Sequence, residues 1–387
     1  MNIVIGQVAT GDKFYKRNKL IERLWKRINS GNNILMSAPR RIGKTSVMNY
    51  CLENQPENYG LIYLMPESVN NMNEFYRKLV NEVYNKLKGT QKISTFLQKL
   101  ISSTKIKSIG ANGISFDNLK ETDYFQEFVN IAEQLDLEGY KLVLMVDEFA
   151  QVVENIMQDE GDSSAIHFLE SVREIRLNPK IKDKMQFVFA GSIGLENIVA
   201  RLNATSTIND LLSFKVPPFS TKEAFDYIIS IALKDEDYVF EHENIEYLLS
   251  RLGWNIPYFI NIILIEIETI CDDEETNVIS KEIIDRAFKI TLKNRSYFEY
   301  WHTRLRKAYK KNDYNFAKEI LNSIARNSSV AKTEIMNIAV ELEVLETYKD
   351  IISSLEYDGY VNNQDDTNKY IFNSPLLKQW WFDNVTN

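Results

Sequence analysis

The sequence contains little cysteine and little histidine. Its 387 residues include two cysteines and three histidines. Two cysteines exclude a disulfide framework and fit a reducing cytoplasm. Neither Cys51 nor Cys271 has a cysteine or histidine at metal-ligand spacing, and the histidines are scattered, so no zinc site is predicted. We expect both cysteines to be small, buried core residues.

Long apolar runs are also absent. The densest run, from Phe259 to Ile265, is far shorter than the roughly 20 apolar residues that a membrane-spanning helix needs. The opening stretch MNIVIGQVATGDKF lacks both the basic start and the long apolar stretch of a signal peptide. The sequence therefore predicts a cytoplasmic protein without a membrane segment.

The acidic net charge of −8 argues against nucleic-acid binding by the whole chain. The charge is uneven, however. Residues 77 to 120 contain nine Lys or Arg and two acids, a net of +7, whereas residues 315 to 387 contain six and eleven, a net of −5. The basic segment is a candidate site for nucleic acid or an acidic partner. The alternative is a solvated helical face followed by a hairpin.

Short apolar strands alternate with amphipathic helices through the first half of the chain. Strands are expected at residues 34–36, 61–65, 142–146 and 187–190. Helices are expected between them, among others over residues 73–88 and 94–102, and residues 105–116 alternate around Ala-Asn-Gly as a hairpin does. This order predicts an α/β fold, with a parallel sheet covered by helices on both faces.

The pattern changes after Pro217 and Pro218. Four helical segments follow, and the last part of the chain shows three helical stretches and then a small hairpin, the order of a winged helix. We expect a core over residues 1–216 with a basic insertion at about 73–120, an all-helical lid over 217–294, a linker over 295–314 and a winged helix over 315–387.

The segment SAPRRIGKTS resembles a phosphate-binding loop between a strand and a helix. Such a loop points successive backbone N–H groups and a helix N-terminus at the anion. Gly43 lets the backbone close on the phosphates, Lys44 reaches the β and γ oxygens, and Thr45 ligates Mg²⁺. Ala38 replaces the usual first glycine, which is tolerable while its φ stays negative. The alternative is a basic helix start. The predicted nucleotide-binding residues are Ala38, Pro39, Arg40, Arg41, Ile42, Gly43, Lys44, Thr45 and Ser46.

The second feature is LVLMVDEF, an apolar strand that ends in two acids. Open α/β sheets bind ligands at the carboxyl ends of their strands. Asp147 would join the Mg²⁺ shell, and Glu148 would orient and polarise the attacking water. The alternative is an acid that caps the next helix. The third feature is FVFAGS, a buried strand followed by Ser192, which would contact the γ-phosphate or the water, or else cap the following helix.

These motifs together resemble the archaeal-type ATPases, in the STAND-like branch of the AAA-type P-loop NTPases. The resemblance is carried by FYKR, APRRIGKTS, LVLMVDE, FVFAGS, GWNIPYF and YIFNSPLLKQWW, and it covers most of residues 6–270 and 315–382. It implies that Phe14 and Arg17 flank the nucleotide base and that Pro257, in the helical lid, lies near the base. Lys16 stands where this family usually has glycine.

Relatives of this class use an arginine finger from a neighbouring protomer. Arg173, Arg176 and Arg201 are candidates here, each with a surface salt bridge as the alternative. Arg40 and Arg41 would contact the γ-phosphate, or brace the winged helix or a neighbouring subunit. The resemblance also implies roles in regulation, mobile elements or defence.

The sequence therefore predicts an ATPase that uses ATP and Mg²⁺ as a conformational switch. Its partner would be a protein, a further copy of itself, or nucleic acid bound through residues 77–120. The acidic 346–360 segment favours a protein contact for the winged helix, because phosphate contacts need Lys or Arg. Two alternatives stay open: a nucleotide-gated scaffold with negligible hydrolysis, and a nucleic-acid-remodelling ATPase.

Overall fold

A computed structural model describes residues 1–88, 106–110, 113–116, 122–135, 139–191, 194–234, 237–309 and 311–386. The chain folds into two compact units. The sheet unit comprises residues 18–37 and 47–216, and the loop-bearing unit comprises residues 1–17, 38–46 and 217–387. The predicted phosphate loop thus groups with the last part of the chain. The four-part division made from the sequence stays a prediction.

The sheet unit alternates helices and strands as the sequence predicts. Its elements, in chain order, are α1 (Asn18–Asn29), β1 (Ile34–Ser37), α2 (Lys44–Glu53, whose first turn belongs to the loop-bearing unit), β2 (Tyr59–Leu64), α3 (Met72–Lys88), β3 (Ile106–Gly110), β4 (Gly113–Phe116), α4 (Tyr124–Gln134), β5 (Lys141–Val146), α5 (Phe149–Glu160), α6 (Asp162–Leu177), β6 (Met185–Gly191), α7 (Leu195–Arg201) and β7 (Leu212–Lys215).

Five of these strands form one parallel sheet in the order β2-β5-β6-β1-β7. Each neighbouring pair is parallel. The apolar runs of β1 and β6 are buried along their whole length because helices cover both faces. This confirms the predicted fold class of a P-loop-type parallel sheet flanked by helices.

The edge strand β7 was not foreseen. Its residues alternate in exposure, and Phe214 is the one fully buried side chain of the strand. With one apolar residue between a serine and a lysine after Leu212, β7 lacks the continuous apolar run by which the other strands were identified.

Aromatic side chains fill the space between α3, α5, α6 and the sheet. The rings of Phe75, Tyr76, Phe149, Phe168 and Phe189 contact one another, with centroid distances from 4.3 to 6.4 Å. Such contacts add to the free energy gained by burying the rings. This core fixes α5, and with it the end of β5, against the sheet.

The hairpin predicted over residues 105–116 is present as the antiparallel pair β3 and β4. The helix predicted over residues 94–102 lies outside the described residues. Of the basic segment, the structure therefore describes α3 and the two hairpin strands.

The loop-bearing unit is mainly helical. Its elements are α8 (Thr221–Tyr227), α9 (His242–Leu252), α10 (Pro257–Asp273), α11 (Lys281–Lys293), α12 (Glu299–Ala308), α13 (Lys311–Asn327), β8 (Val330–Ala331), α14 (Lys332–Glu341), α15 (Tyr348–Tyr357), β9 (Val361–Asn362), β10 (Lys369–Phe372) and α16 (Pro375–Asn384). A π-helical turn over Ile228–Ala232 extends α8. Ser220 and Glu223 form the capping box that their spacing predicts.

The end of the chain contains more than the sequence pattern suggested. Three helices are followed by the strands β9 and β10, but β8 joins them in a three-stranded sheet, and α16 covers it. Trp380 and Trp381 of α16 are fully buried. Cys51 and Cys271 are also buried, as expected of core residues. No helix among the described residues has the length and apolar character required to cross a membrane.

Candidate functional site: the phosphate loop and the acid-ended strand

The loop over residues 38–43 joins β1 to α2, as a phosphate loop requires. Arg41 and Gly43 have φ values of 66° and 99°, whereas Ala38 keeps a negative φ. Left-handed residues alternating with right-handed ones turn successive N–H groups toward one side and create a concave anion site. The helix N-terminus at Lys44 adds a partial positive charge to the same place. The backbone therefore fits a polyphosphate.

The Lys44 side chain folds back over this loop and is buried. Its Nζ donates hydrogen bonds to the carbonyl oxygens of Ala38, at 2.6 Å, and Pro39, at 3.2 Å. The ammonium group is therefore kept at the loop rather than in solvent. In the first turn of α2, the Ser46 hydroxyl accepts a hydrogen bond from the backbone N–H of Ala9 at 3.2 Å.

The two loop arginines stack on tyrosine rings from distant helices. The Arg40 guanidinium lies 4.2 Å from the centre of the Tyr300 ring and donates a hydrogen bond to its hydroxyl. The Arg41 guanidinium lies 3.9 Å from the centre of the Tyr258 ring. Sequence reasoning missed both tyrosines, because no local pattern links them to the loop.

Gly359 of the loop-bearing unit lies close to both Pro39 and Trp254. Gly359 has a φ of 83°, and a Cβ added to it would lie 2.7 Å from both Pro39 Cβ and the Trp254 ring. A glycine is thus required here both by the backbone and by the lack of space. The loop packs tightly against the turn that follows α15.

The acids predicted to bind Mg²⁺ and water follow β5 directly. Asp147 is 1% exposed, and its two oxygens accept hydrogen bonds from the Tyr63 hydroxyl at 3.1 Å and from the Glu148 backbone N–H at 3.0 Å. Burial and the neighbouring Asp147 carboxylate raise the pKa of Tyr63, which therefore stays a hydrogen-bond donor. Tyr63 comes from β2, the neighbour of β5, and was not foreseen.

Glu148 sits at the N-cap position of α5 but does not cap it through its side chain. Its backbone has a left-handed φ of 52°, and its carboxylate accepts no capping hydrogen bond. The alternative of a simple acid cap is therefore not what the geometry shows. A left-handed glutamate is strained by roughly 1 to 3 kcal/mol, which is a known feature of functional positions.

The sheet brings the carboxyl ends of β1 and β5 to one edge. Both strands lie parallel to β6, which separates them. Ser37 at the end of β1 and Val146 at the end of β5 are therefore on the same side of the sheet. This is the edge at which open parallel sheets bind ligands.

Arg17, predicted near the base, is committed to protein contacts. Its buried guanidinium donates to both oxygens of Glu223, at 3.1 and 3.2 Å, and to the carbonyls of Pro217 and Pro218. Pro257 is the first residue of α10 and Phe14 follows a short 3₁₀ turn; both are half-buried. The roles of Phe14, Arg17 and Pro257 at a base stay predictions.

Of the arginine-finger candidates, Arg176 is buried in an ion pair. It donates to both oxygens of Asp210, at 2.7 and 2.8 Å, and to the Thr207 carbonyl. A side chain held in this way cannot reach a neighbouring molecule. Arg201 is 53% exposed and lies 3.6 Å from a Glu154 oxygen. Ser192 lies outside the described residues.

Comparisons with known proteins agree with this architecture. No protein-family model matches the chain, and no curated protein matches it. Among solved structures, the chain is similar to the Walker-type ATPase PABY2304 of Pyrococcus abyssi, with a TM-score of 0.59 at 17% identity over 96% of this chain and 97% of the other. It is also similar to the ORC2 protein of Aeropyrum pernix, with a TM-score of 0.59 at 13% identity over 98% and 96%.

The fold is that of a P-loop ATPase. At these low identities, the structural similarity shows the fold alone, over nearly the whole chain and including the parts that follow the sheet.

Proposed function

We propose that the protein binds ATP with Mg²⁺ and hydrolyses it to ADP and phosphate. The observation that carries this proposal is the loop at residues 38–43, with its left-handed residues, its buried Lys44 and the helix N-terminus behind it. The acid pair at the end of a parallel strand supports it, because phosphate loops act together with such acids.

Each residue has a distinct task in this proposal. The loop backbone from Ala38 to Gly43 and the Lys44 ammonium neutralise the β- and γ-phosphates. Lys44 would exchange its hydrogen bonds to the loop carbonyls for phosphate oxygens. Glu148 orients the attacking water and accepts its proton as the new bond to phosphorus forms. Ser192 stays a further candidate for contacting the γ-phosphate or the water.

A bound Mg²⁺ ion would supply positive charge that offsets the negative charge developing during phosphoryl transfer. Within the described residues, no three His, Cys, Asp or Glu side chains lie together as a metal site. An ion here would therefore take the Thr45 hydroxyl, the Asp147 carboxylate and phosphate oxygens as ligands. Mg²⁺ is usually bound through oxygen atoms of only a few protein residues, together with the phosphates of the substrate.

Hydrolysis would act as a conformational switch. The loop belongs to the same unit as the predicted lid and the terminal helices, so a change at the loop has direct contacts through which to act. We infer that residues 315–387 form a winged helix, from the three helices and three-stranded sheet described above. The STAND-like placement and a cytoplasmic role in regulation or defence remain part of this proposal.

The test uses full-length protein and calorimetry with Mg·ATP, followed by measurement of phosphate release. Wild type should bind and hydrolyse. Lys44→Ala should lose binding, and Glu148→Gln should bind normally but lose about 100-fold or more of its turnover. Wild type that binds without measurable turnover would favour the nucleotide-gated scaffold. Absence of binding would remove the proposal.

The basic segment supports the second candidate, a nucleic-acid-remodelling ATPase. Its net charge of +7 is the observation in favour. Lys86 does not serve this purpose, because it is half-buried, its Nζ donates to Gln55 and burial lowers its pKa. Charge reversal at Lys92, Lys99 and Lys105 should abolish salt-sensitive binding of DNA or RNA. Wild type that binds neither at low salt would end this candidate, leaving a protein partner or a homo-oligomer.

A further inference from the structure

The arginines of the phosphate loop form part of a cluster that reaches far along the chain. The Tyr300 hydroxyl accepts hydrogen bonds from Arg40 and, at 3.4 Å, from Arg304. Arg304 in turn donates to both oxygens of Asp358, at 3.2 and 2.8 Å. Asp358 precedes Gly359, which touches Pro39. The cluster therefore returns to the loop from which it started.

Arg41 is held in a similar way. Its ring partner Tyr258 is buried and donates a hydrogen bond from its hydroxyl to the Tyr297 carbonyl at 2.8 Å. The second ring, that of Tyr300, lies 5.5 Å from the Arg41 guanidinium. Arg41 is also the loop residue with a left-handed φ of 66°. A non-glycine residue adopts this conformation only when its surroundings impose it.

We propose that Tyr258 and Tyr300 are positioning residues that hold the phosphate loop in its anion-binding conformation. In this arrangement Arg40 and Arg41 act on the shape of the loop and do not contact phosphate. The reason is that one planar face of each guanidinium group is stacked on a tyrosine ring, and that one Arg40 N–H donates to the Tyr300 hydroxyl, so both side chains are turned toward the rings.

The inference rests on the proposed function and adds a prediction about how nucleotide affinity changes when a tyrosine is lost. A loop that is ordered in advance lowers the entropy cost of binding any nucleotide that uses it. Loss of a tyrosine should therefore weaken the binding of ATP and the binding of ADP by the same factor. An arginine that contacted the γ-phosphate would instead discriminate between them.

The experiment measures dissociation constants of Mg·ATP and Mg·ADP for full-length wild type, Arg40→Met, Tyr300→Ala and the double variant. Each single substitution should raise both constants by about tenfold, the range of one partly buried cation–π contact. The double variant should be no weaker than the singles, because the two residues act as a pair. Tyr300→Phe, which keeps the ring, should show a smaller effect.

Tyr247→Ala is the matched control. Tyr247 is also half-buried and belongs to the same unit, with the Arg251 guanidinium 5.8 Å from its ring centre. Its other partners, Lys281 and Asp285, lie on α11. Its substitution should leave both constants unchanged. Thermal melting of each variant identifies any that does not fold. If Tyr300→Ala does not fold, Arg40→Met provides the test, because Arg40 lies in a loop and is partly exposed.

Three results would overturn the inference. These are a loss of ATP affinity in Arg40→Met at least tenfold greater than the loss of ADP affinity, unchanged constants in Tyr300→Ala, or multiplying effects in the double variant. Failure of wild type to bind Mg·ATP would instead remove the proposed function itself. The two failures are therefore distinguishable.

Discussion

The phosphate loop and the acid pair are supported in different ways. The loop depends on Tyr258, Tyr300 and Gly359, and the Arg40–Tyr300 contact spans 260 residues of sequence. Asp147 depends on strand pairing and on Tyr63 from the neighbouring strand, 84 residues away. One segment is thus held by the last third of the chain, and the other by the sheet from which it emerges.

This difference separates two kinds of sensitivity. The position of Asp147 follows from the sheet, whose hydrogen bonds and apolar strands give it a rigid support. The shape of the loop follows from side chains on α10, α12 and the turn after α15. A change near the C-terminus should therefore alter the loop and leave the acid pair as it is. The predictions below test this contrast.

The largest effect is expected from Asp358→Ala, which removes the partner of Arg304. The side chains of both residues are 11% exposed, so the substitution leaves the nearly buried Arg304 guanidinium group without its carboxylate partner. Such a loss costs about 3 to 4 kcal/mol. Chemical unfolding followed by tryptophan fluorescence reports on this unit, because Trp254, Trp301, Trp380 and Trp381 belong to it.

The matched control is Glu299→Ala. The Arg295–Glu299 pair has a similar separation of 3.0 Å, but its side chains are 70% and 39% exposed. Loss of a solvated pair should cost about 0.5 kcal/mol or less. Equal destabilisation by the two substitutions would contradict the view that the Asp358 pair supports the loop-bearing unit.

Much of the fold could be predicted from the sequence because its signals are local. Continuous apolar runs identified the central strands, and Ser220 with Glu223 marked a helix start. The exceptions were elements without such a signal. β7 is an edge strand with alternating exposure, and β8 is two residues long.

The candidate site shows the same limit. SAPRRIGKTS and LVLMVDEF identified the loop and the acids, because phosphate and metal binding require particular residues at short spacing. Their supports are tertiary. Tyr258 follows Pro257 in the motif GWNIPYF, but that motif does not reveal a contact with the loop. Tyr63 and Tyr300 lie in other segments, and nothing in the local sequence distinguishes them from other tyrosines. The sequence therefore left open whether Arg40 and Arg41 contact the γ-phosphate or brace another part of the protein, and it did not identify their tyrosine partners.

The second prediction compares two glycines with the same backbone. Gly359→Ala should destabilise by about 3 kcal/mol, because the residue has φ of 83° and the new Cβ would clash with Pro39 and Trp254. Gly31→Ala has a φ of 82° and nothing within 4 Å of the Cβ, so it should cost about 1 kcal/mol. Unfolding midpoints of the two variants give the comparison. Equal losses of stability in the two variants would show that the close approach of Gly359 to the loop does not contribute to the free energy of unfolding.

The third prediction concerns the acid pair and assumes the proposed function. Tyr63→Phe removes the hydroxyl that donates to Asp147. The Mg²⁺ concentration for half-maximal ATPase activity should rise roughly five- to tenfold, because a partner of a metal ligand orients it. Affinity for nucleotide without metal should not change. Tyr59→Phe on the same strand is the control, since its ring packs on Trp25. If Tyr63→Phe instead weakened nucleotide binding without metal, Tyr63 would act on the phosphate loop and not on the metal ligand Asp147.

The smallest effect is expected at another long-range contact of the loop-bearing unit. This contact joins Glu223 to Arg17. Burial raises the pKa of Glu223, but the hydrogen bonds from Arg17 and Ser220 lower it by more, so its pKa lies below the ordinary value. A carboxyl with a lower pKa in the folded state stabilises the fold above its unfolded pKa, about 4.3, and this stabilisation is lost as the pH falls through the folded pKa.

Wild-type stability without nucleotide should therefore fall between about pH 5 and pH 3 more steeply than that of Glu223→Gln. The difference should be about 1 kcal/mol or less, because the Glu223 side chain is 30% exposed and solvent screens it. Arg17→Met should flatten the pH dependence in the same way, since Arg17 is the main partner. Parallel pH profiles of wild type and Glu223→Gln would show that this contact, unlike the one at Asp358, does not hold the unit together through its charge.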